Sequence, residues 1–76
     1  MAFDYSKLRG RIVEIFGTQY DFAKAMEWSE RTLSLKLNGA RPWKQGDIVK
    51  AIELLRIDPS EISAYFFMAK VQSIEQ

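Results

Sequence analysis

Apolar residues recur at intervals of three and four along the chain, and each such stretch is closed by a residue that a helix cannot easily pass. Tyr5, Leu8, Ile12, Ile15 and Phe16 form one stripe, stopped by Gly17. Phe22, Ala23 and Met26 form a second, and Leu33 with Leu37 a third, stopped by Asn38-Gly39. Ile48, Ala51, Ile52 and Leu55 form a fourth, and Ile62, Tyr65, Phe66 and Ala69 a fifth. No stretch alternates with period two and β-branched enrichment, so strands are excluded. Capping residues agree with the stripes: Asp4, Thr18 and Ser29 stand before the first three, and Asp58-Pro59-Ser60-Glu61 places an acid cap, a proline at N1 and a glutamate at N3 before the fifth. The expectation is an all-α protein of five short helices, the fifth over about residues 59–70, in one domain spanning 1–76. A chain of 76 residues leaves room for a single core. Asn38 and Gly39 are both expected to take left-handed backbone. Tyr65, Phe66 and Phe67 are consecutive and cannot all face inward, while Phe67, Met68 and Val71 widen the apolar face; Phe67 and Met68 are therefore expected at a dimer contact.

The chain has no cysteine and no histidine, which removes disulfides, thiol nucleophiles, zinc-finger clusters and imidazole acid–base chemistry together. Ser29, Ser34 and Ser60 read as caps or helix surface rather than nucleophiles. No enzyme, catalytic residue, metal, cofactor or small-molecule effector is expected. No apolar run approaches the roughly 18 residues of a membrane span, and Met1-Ala2-Phe3-Asp4 lacks the pattern of a signal peptide, so a cytoplasmic protein off the membrane is expected. Net charge is only +1, but it is unevenly spread: residues 1–11 carry +2, 12–28 carry −2, 29–46 carry +3 and 47–76 carry −2. The positive charge concentrates around residues 29–46.

That stretch overlaps the most informative motif. From Gln19 to Gly39 the chain reads QYDFAKAMEWSERTLSLKLNG, a short helix, a turn, a Ser-capped second helix and an Asn-Gly stop. Over about residues 18–39 this resembles a helix-turn-helix. More narrowly it is similar to the Cro/repressor-type family of phage and bacterial regulators, with a lambda-repressor-like fold. In that pattern glutamine opens the first motif helix, alanine follows four residues later, and Asn-Gly closes the unit; Gln19, Ala23, Asn38 and Gly39 fill those places. Phe22, Met26, Trp28 and Leu33 occupy its apolar positions. Leu37-Asn38-Gly39 followed by Arg41-Pro42-Trp43 is similar to a phage-associated subgroup, and the resemblance covers about residues 5 to 67.

A small residue at Ala23 lets the two motif helices approach closely, so the second projects its polar side as a rod that fits a major groove. Arg31 has the geometry to bond a guanine edge, Glu30 to accept from a cytosine amine, and Thr32 or Leu35 to touch a thymine methyl. The resemblance likewise implies base reading at Glu30, Arg31 and Leu35. Gln19, Ser29, Thr32, Asn38, Lys36, Arg41 and Lys44 are the expected phosphate contacts. If each of two subunits neutralises about three or four phosphates, log K falls with log salt at a slope near −6. The resemblance implies a homodimer on a two-fold double-stranded DNA operator. Trp28 is read as core. Trp43 is read as packing, with its indole N–H as a secondary candidate for phosphate.

The chain departs from the pattern twice. Glu27 stands where the family has a turn glycine, so the turn is either strained or built differently. Lys36 stands where the pattern prefers an apolar residue. These departures, the near-neutral charge and the Glu27/Glu30 pair keep a second reading open: a protein-interaction module on the same scaffold, such as an antirepressor or a toxin's partner.

Overall fold

The computed structural model describes residues 3–69. They form α1 (Ser6–Phe16), α2 (Gln19–Met26), α3 (Glu30–Leu37), α4 (Gln45–Leu55), a 3₁₀ turn (Pro59–Glu61) and α5 (Ile62–Phe66). The architecture is all-α. The single sheet-like feature among the described residues is an isolated antiparallel bridge between Phe3 and Ala69, where the Asp4 amide donates to the Met68 carbonyl at 2.7 Å.

Local chemistry sets the helix ends. The Asp4 carboxylate accepts from the Ser6 amide at 2.8 Å and the Ser6 hydroxyl at 2.6 Å, and Gly17 closes α1 at φ 88°. Thr18 Oγ1 accepts from the Asp21 amide at 3.1 Å, Ser29 Oγ from the Thr32 amide at 3.1 Å, and Asp58 Oδ1 from the Ser60 amide at 3.3 Å. Two α1 cations finish other helices. Arg9 Nη2 donates to the Leu37 carbonyl at the end of α3 at 2.9 Å; Arg11 donates to the Leu55 and Arg56 carbonyls at the end of α4 at 2.9 and 3.1 Å. Each guanidinium satisfies orphan carbonyls where the helix dipole is negative.

The stripes close on one core, in which Phe22, Phe66, Leu8, Ile12, Leu33 and Leu55 are fully buried. Trp43, on the loop between α3 and α4, links its layers: ring centroids lie 6.3 Å from Tyr5, 5.5 Å from Trp28 and 5.0 Å from Phe66. Trp28 and Trp43 are thus both packing residues.

Three expectations need correction. Ile15 is exposed, because the α1 stripe narrows to Tyr5, Leu8 and Ile12 with Phe16 at its edge against Phe22. Asn38 sits at φ −92°, so only Gly39, at φ 81°, is left-handed in that stop. The fifth helix ends at Phe66, not near residue 70: Phe67 leaves helical geometry, and Met68–Ala69 turn to meet the N-terminal segment instead. Residue 70 and Val71 lie outside the described residues.

Candidate recognition surface

Helices α2 and α3 are joined by the three residues Glu27–Ser29. Glu27 takes φ 66° and ψ 36°, so the turn keeps the left-handed geometry that glycine provides in the resembled pattern, with a Cβ added. The Trp28 amide donates to the Ala23 carbonyl at 2.8 Å, and Lys50 of α4 donates to the Met26 carbonyl at 3.4 Å. These bonds hold Glu27 in a region that costs an L-residue about 1–2 kcal/mol. Glu27→Gly relieves that cost, partly offset by greater freedom of the unfolded chain. The expected gain is about 0.5–1 kcal/mol, read as a midpoint several degrees higher in thermal unfolding.

The face presented by α3 is narrower than its sequence suggests. Glu30 and Arg31 are exposed, as is Ser34. Leu35 is half-buried. Thr32 is also half-buried, and its hydroxyl lies 3.0 Å from Ser29 Oγ, so this side chain is tied into the cap. Gln19 is half-buried in the first turn of α2, while Ser29, Asn38, Arg41 and Lys44 are exposed. Asn38 is committed: its Oδ1 accepts from Arg9 Nη2 at 2.9 Å. Phe67 and Met68 are about half exposed, with Phe67 edge-on to Phe3 at 5.8 Å and on a different element from α3.

Lys36 is the principal correction. It was expected on the outer face as a phosphate contact; it is 7% exposed. Its ammonium donates to the Pro42 carbonyl at 3.0 Å and to Asp47 Oδ2 at 3.2 Å, and stands 4.9 Å from the centre of the Trp28 ring. Asp47 in turn accepts from the Lys44 amide at 3.0 Å. Burial pushes the Asp47 carboxyl upward, but the Lys44 amide, the Lys36 hydrogen bond and the two lysine charges outweigh it and hold the group below its ordinary value. Lys36 therefore fastens the α3–α4 loop to α4, taking the place of the apolar residue in the pattern, and is too deeply buried to meet a phosphate.

The loss reshapes the electrostatics. Over residues 18–35 the charged side chains are Asp21, Lys24, Glu27, Glu30 and Arg31, all exposed, a balance of −1. Arg41 and Lys44 lie beyond the end of α3, and Arg9 and Arg11 are spent on helix ends. Among the described residues no cluster of Asp and Glu could hold a metal ion, and no helix is long and apolar enough to cross a membrane.

Sequence reasoning also passed over further exposed apolar residues. Tyr20 is 52% exposed on α2 with Lys24 Nζ 5.5 Å from its ring centre, and Val49 is 47% exposed on α4. An exposed apolar residue inside an amphipathic helix carries no local signal, because only the packed neighbours reveal that nothing covers it.

Residues 1–69 match the family described as "Protein of unknown function (DUF739)". The chain is also similar to a solved structure, the solution structure of the modulator of repression of the temperate bacteriophage TP901-1 from Lactococcus lactis. The two share 54% sequence identity over 95% of this chain and 97% of that one, with a TM-score of 0.79. No curated protein matches the chain.

Proposed function

The chain belongs to the DUF739 family, and from that membership and its likeness to a phage modulator of repression we propose that it adjusts a phage repression switch by binding a regulatory protein through its α2–α3 face. The observation that carries this reading is the sign of the exposed charge. A helix that docks on DNA surrounds its base-reading residues with cations, whereas here Lys36 is buried and Asp21, Glu27 and Glu30 stand exposed against Lys24 and Arg31, a balance of −1, with Lys50 3.9 Å from Glu27. An acidic, hydrogen-bonding helix face complements a basic protein surface, the kind that DNA-binding regulators carry. The protein acts by binding, without catalysis or cofactor, in the cytoplasm where such regulators meet DNA.

Direct operator binding is the second reading. Arg31 favours it, being exposed on the first turn of a Ser29-capped helix, with Arg41 and Lys44 positioned to follow a phosphate backbone. On that reading the protein is a Cro-like homodimer, paired through Phe67 and Met68.

Mobility shift with the repressor and operator of the same phage separates the two. The expected result is that the protein alone leaves the duplex unshifted at moderate salt but changes the shift produced by the repressor. Glu27→Lys with Glu30→Lys weakens that effect roughly tenfold or more by juxtaposing like charges. A shift by the protein alone, with a log–log salt slope near −6 and abolished in Arg31→Ala, would establish the operator reading instead.

A further inference from the structure

Asn38 is the single asparagine of the chain, and Gly39 follows it. An asparagine before glycine carries a reaction within its own backbone, because no side chain on the next residue hinders the approach of that residue's nitrogen to the asparagine Cγ. The stop that ends α3 is therefore built on a reactive dipeptide.

In the folded protein each atom the reaction needs is held elsewhere. Asn38 Oδ1 accepts from Arg9 Nη2 at 2.9 Å and Nδ2 donates to Ser34 Oγ at 3.5 Å, so the amide is drawn back along α3 and away from Gly39. The Gly39 nitrogen is engaged as well, donating to the Lys36 carbonyl at 3.2 Å. Closing a five-membered ring requires that nitrogen beside the Asn38 Cβ; at the observed ψ of 0° it eclipses the Asn38 nitrogen instead. The same Arg9 nitrogen donates to the Leu37 carbonyl at 2.9 Å, so one half-buried guanidinium from α1 holds both the amide and the last turn of α3. Burial is not what protects the pair. Asn38 and Gly39 are exposed, and Arg9 and Asn38 line an open polar recess of about 280 Å³.

We propose that Asn38-Gly39 is a self-modification site that Arg9 keeps latent and that opening of the α3 end releases. Hydroxide removes the Gly39 amide proton, the nitrogen attacks Asn38 Cγ to close a cyclic imide, and Nδ2 leaves as ammonia with a proton from water. A second water then opens the ring. Cleavage of the Cγ–N bond leaves aspartate; cleavage between that nitrogen and the Asn38 carbonyl carbon leaves isoaspartate, with the main chain running through Cβ and Cγ. No oxidant or cofactor enters. The aspartate form keeps an oxygen for Arg9, now as a charge-assisted pair. The isoaspartate form lengthens the main chain just before the Gly39, Ala40 and Arg41 amides, which donate to the Lys36 and Leu35 carbonyls, so the α3 stop cannot re-form in the same register. A molecule whose α3 end has stayed open is thereby marked irreversibly, whichever partner that helix meets.

The test ages the whole protein in mildly alkaline buffer and follows conversion at Asn38 by peptide mapping that separates aspartate from isoaspartate. Arg9→Gln, Arg11→Gln and the urea-unfolded wild type are run beside it. Arg11→Gln controls for general loss of stability, since Arg11 closes α4 and not α3. The expected result is conversion at least roughly tenfold slower in the folded wild type than in the unfolded chain. Arg9→Gln, shown to be folded by circular dichroism, speeds it about tenfold, the effect of losing charged hydrogen bonds on a local opening, while Arg11→Gln changes it less than about twofold. In the wild type the slowing also follows the hydrogen-exchange protection of the Gly39 and Ala40 amides, a comparison that stands even if Arg9→Gln does not fold. The proposal is overturned if folded and unfolded wild type convert alike, or if folded Arg9→Gln is no faster than Arg11→Gln. It is overturned as well if conversion tracks the exchange of a core amide such as that of Ile12 rather than those of Gly39 and Ala40.

Discussion

Trp43→Ala removes about 3 kcal/mol of folding stability, the lower end of the range for truncating a large core aromatic because the ring is partly buried, and leaves a substantial fraction of the protein unfolded at 37 °C. A domain of this size has only about 4–11 kcal/mol in total. The effect is large because the indole touches three layers: Tyr5 before α1, Trp28 in the motif turn and Phe66 in α5. Removing it therefore loosens the α2–α3 pair from the rest, not merely one wall. Trp43→Phe behaves differently. The indole N–H is buried with no acceptor in reach, and its deletion recovers about 1–3 kcal/mol of desolvation that offsets the smaller ring. Urea unfolding of both variants checks this; a Trp43→Ala loss below about 1 kcal/mol would show that the aromatic cluster is not the structural link described.

Lys36→Ala costs about 2–3 kcal/mol, somewhat less than breaking a fully buried pair, because the Asp47 side chain retains 22% exposure. It strands the Pro42 carbonyl, leaves Asp47 without its cation and strips the packing over Trp28. Lys36→Met keeps the unbranched stem against the indole and costs much less than Lys36→Ala, since an apolar side chain of similar volume is what a buried pair is best exchanged for. The pH dependence has a definite sign. The Asp47 carboxyl is held below its unfolded value of 3.8 in the folded protein, so its contribution is present above that pH and is lost as pH falls through the lower folded value. Wild-type stability therefore declines below about pH 4, and Lys36→Met shows a smaller decline because one of the groups holding the carboxylate charged is gone. Acid titration of the unfolding midpoint for the two proteins measures the difference. Neither substitution alters the α2–α3 surface by removing an exposed charge, so partner binding by the folded fraction is unchanged.

The limits of sequence reading are clearest in this same residue. Seen along α3, Lys36 is a cation beside Leu37 on a helix whose outer face is polar, and helical spacing places it as readily outside as in. Nothing within four residues reveals that Pro42 and Asp47 converge on its ammonium. The same holds for Arg9 and Arg11, whose guanidinium groups close α3 and α4, helices whose last carbonyls lie 28 and 44 positions away in the chain. Exposure of Val49 and Phe67 is a matter of which helices fail to cover them. By contrast, Thr18, Ser29 and Asp58 cap where their residue types and positions say, and Glu27 adopts the left-handed turn that the resembled pattern assigns to glycine.

What the sequence by itself determined is the set of helices, their starts and most of their stops, the inward stripes, and the α2–turn–α3 unit with Glu30 and Arg31 outermost. All of these depend on interactions spanning four residues or fewer, where spacing and capping chemistry decide the outcome. Only the tertiary structure decided which cations remain at the surface, where α5 ends, and that Val49 and Phe67 are left uncovered. A basic side chain can lie in solvent or reach a distant carbonyl, and the choice rests on which helix ends and carboxylates the packed core brings within about 3 Å of it.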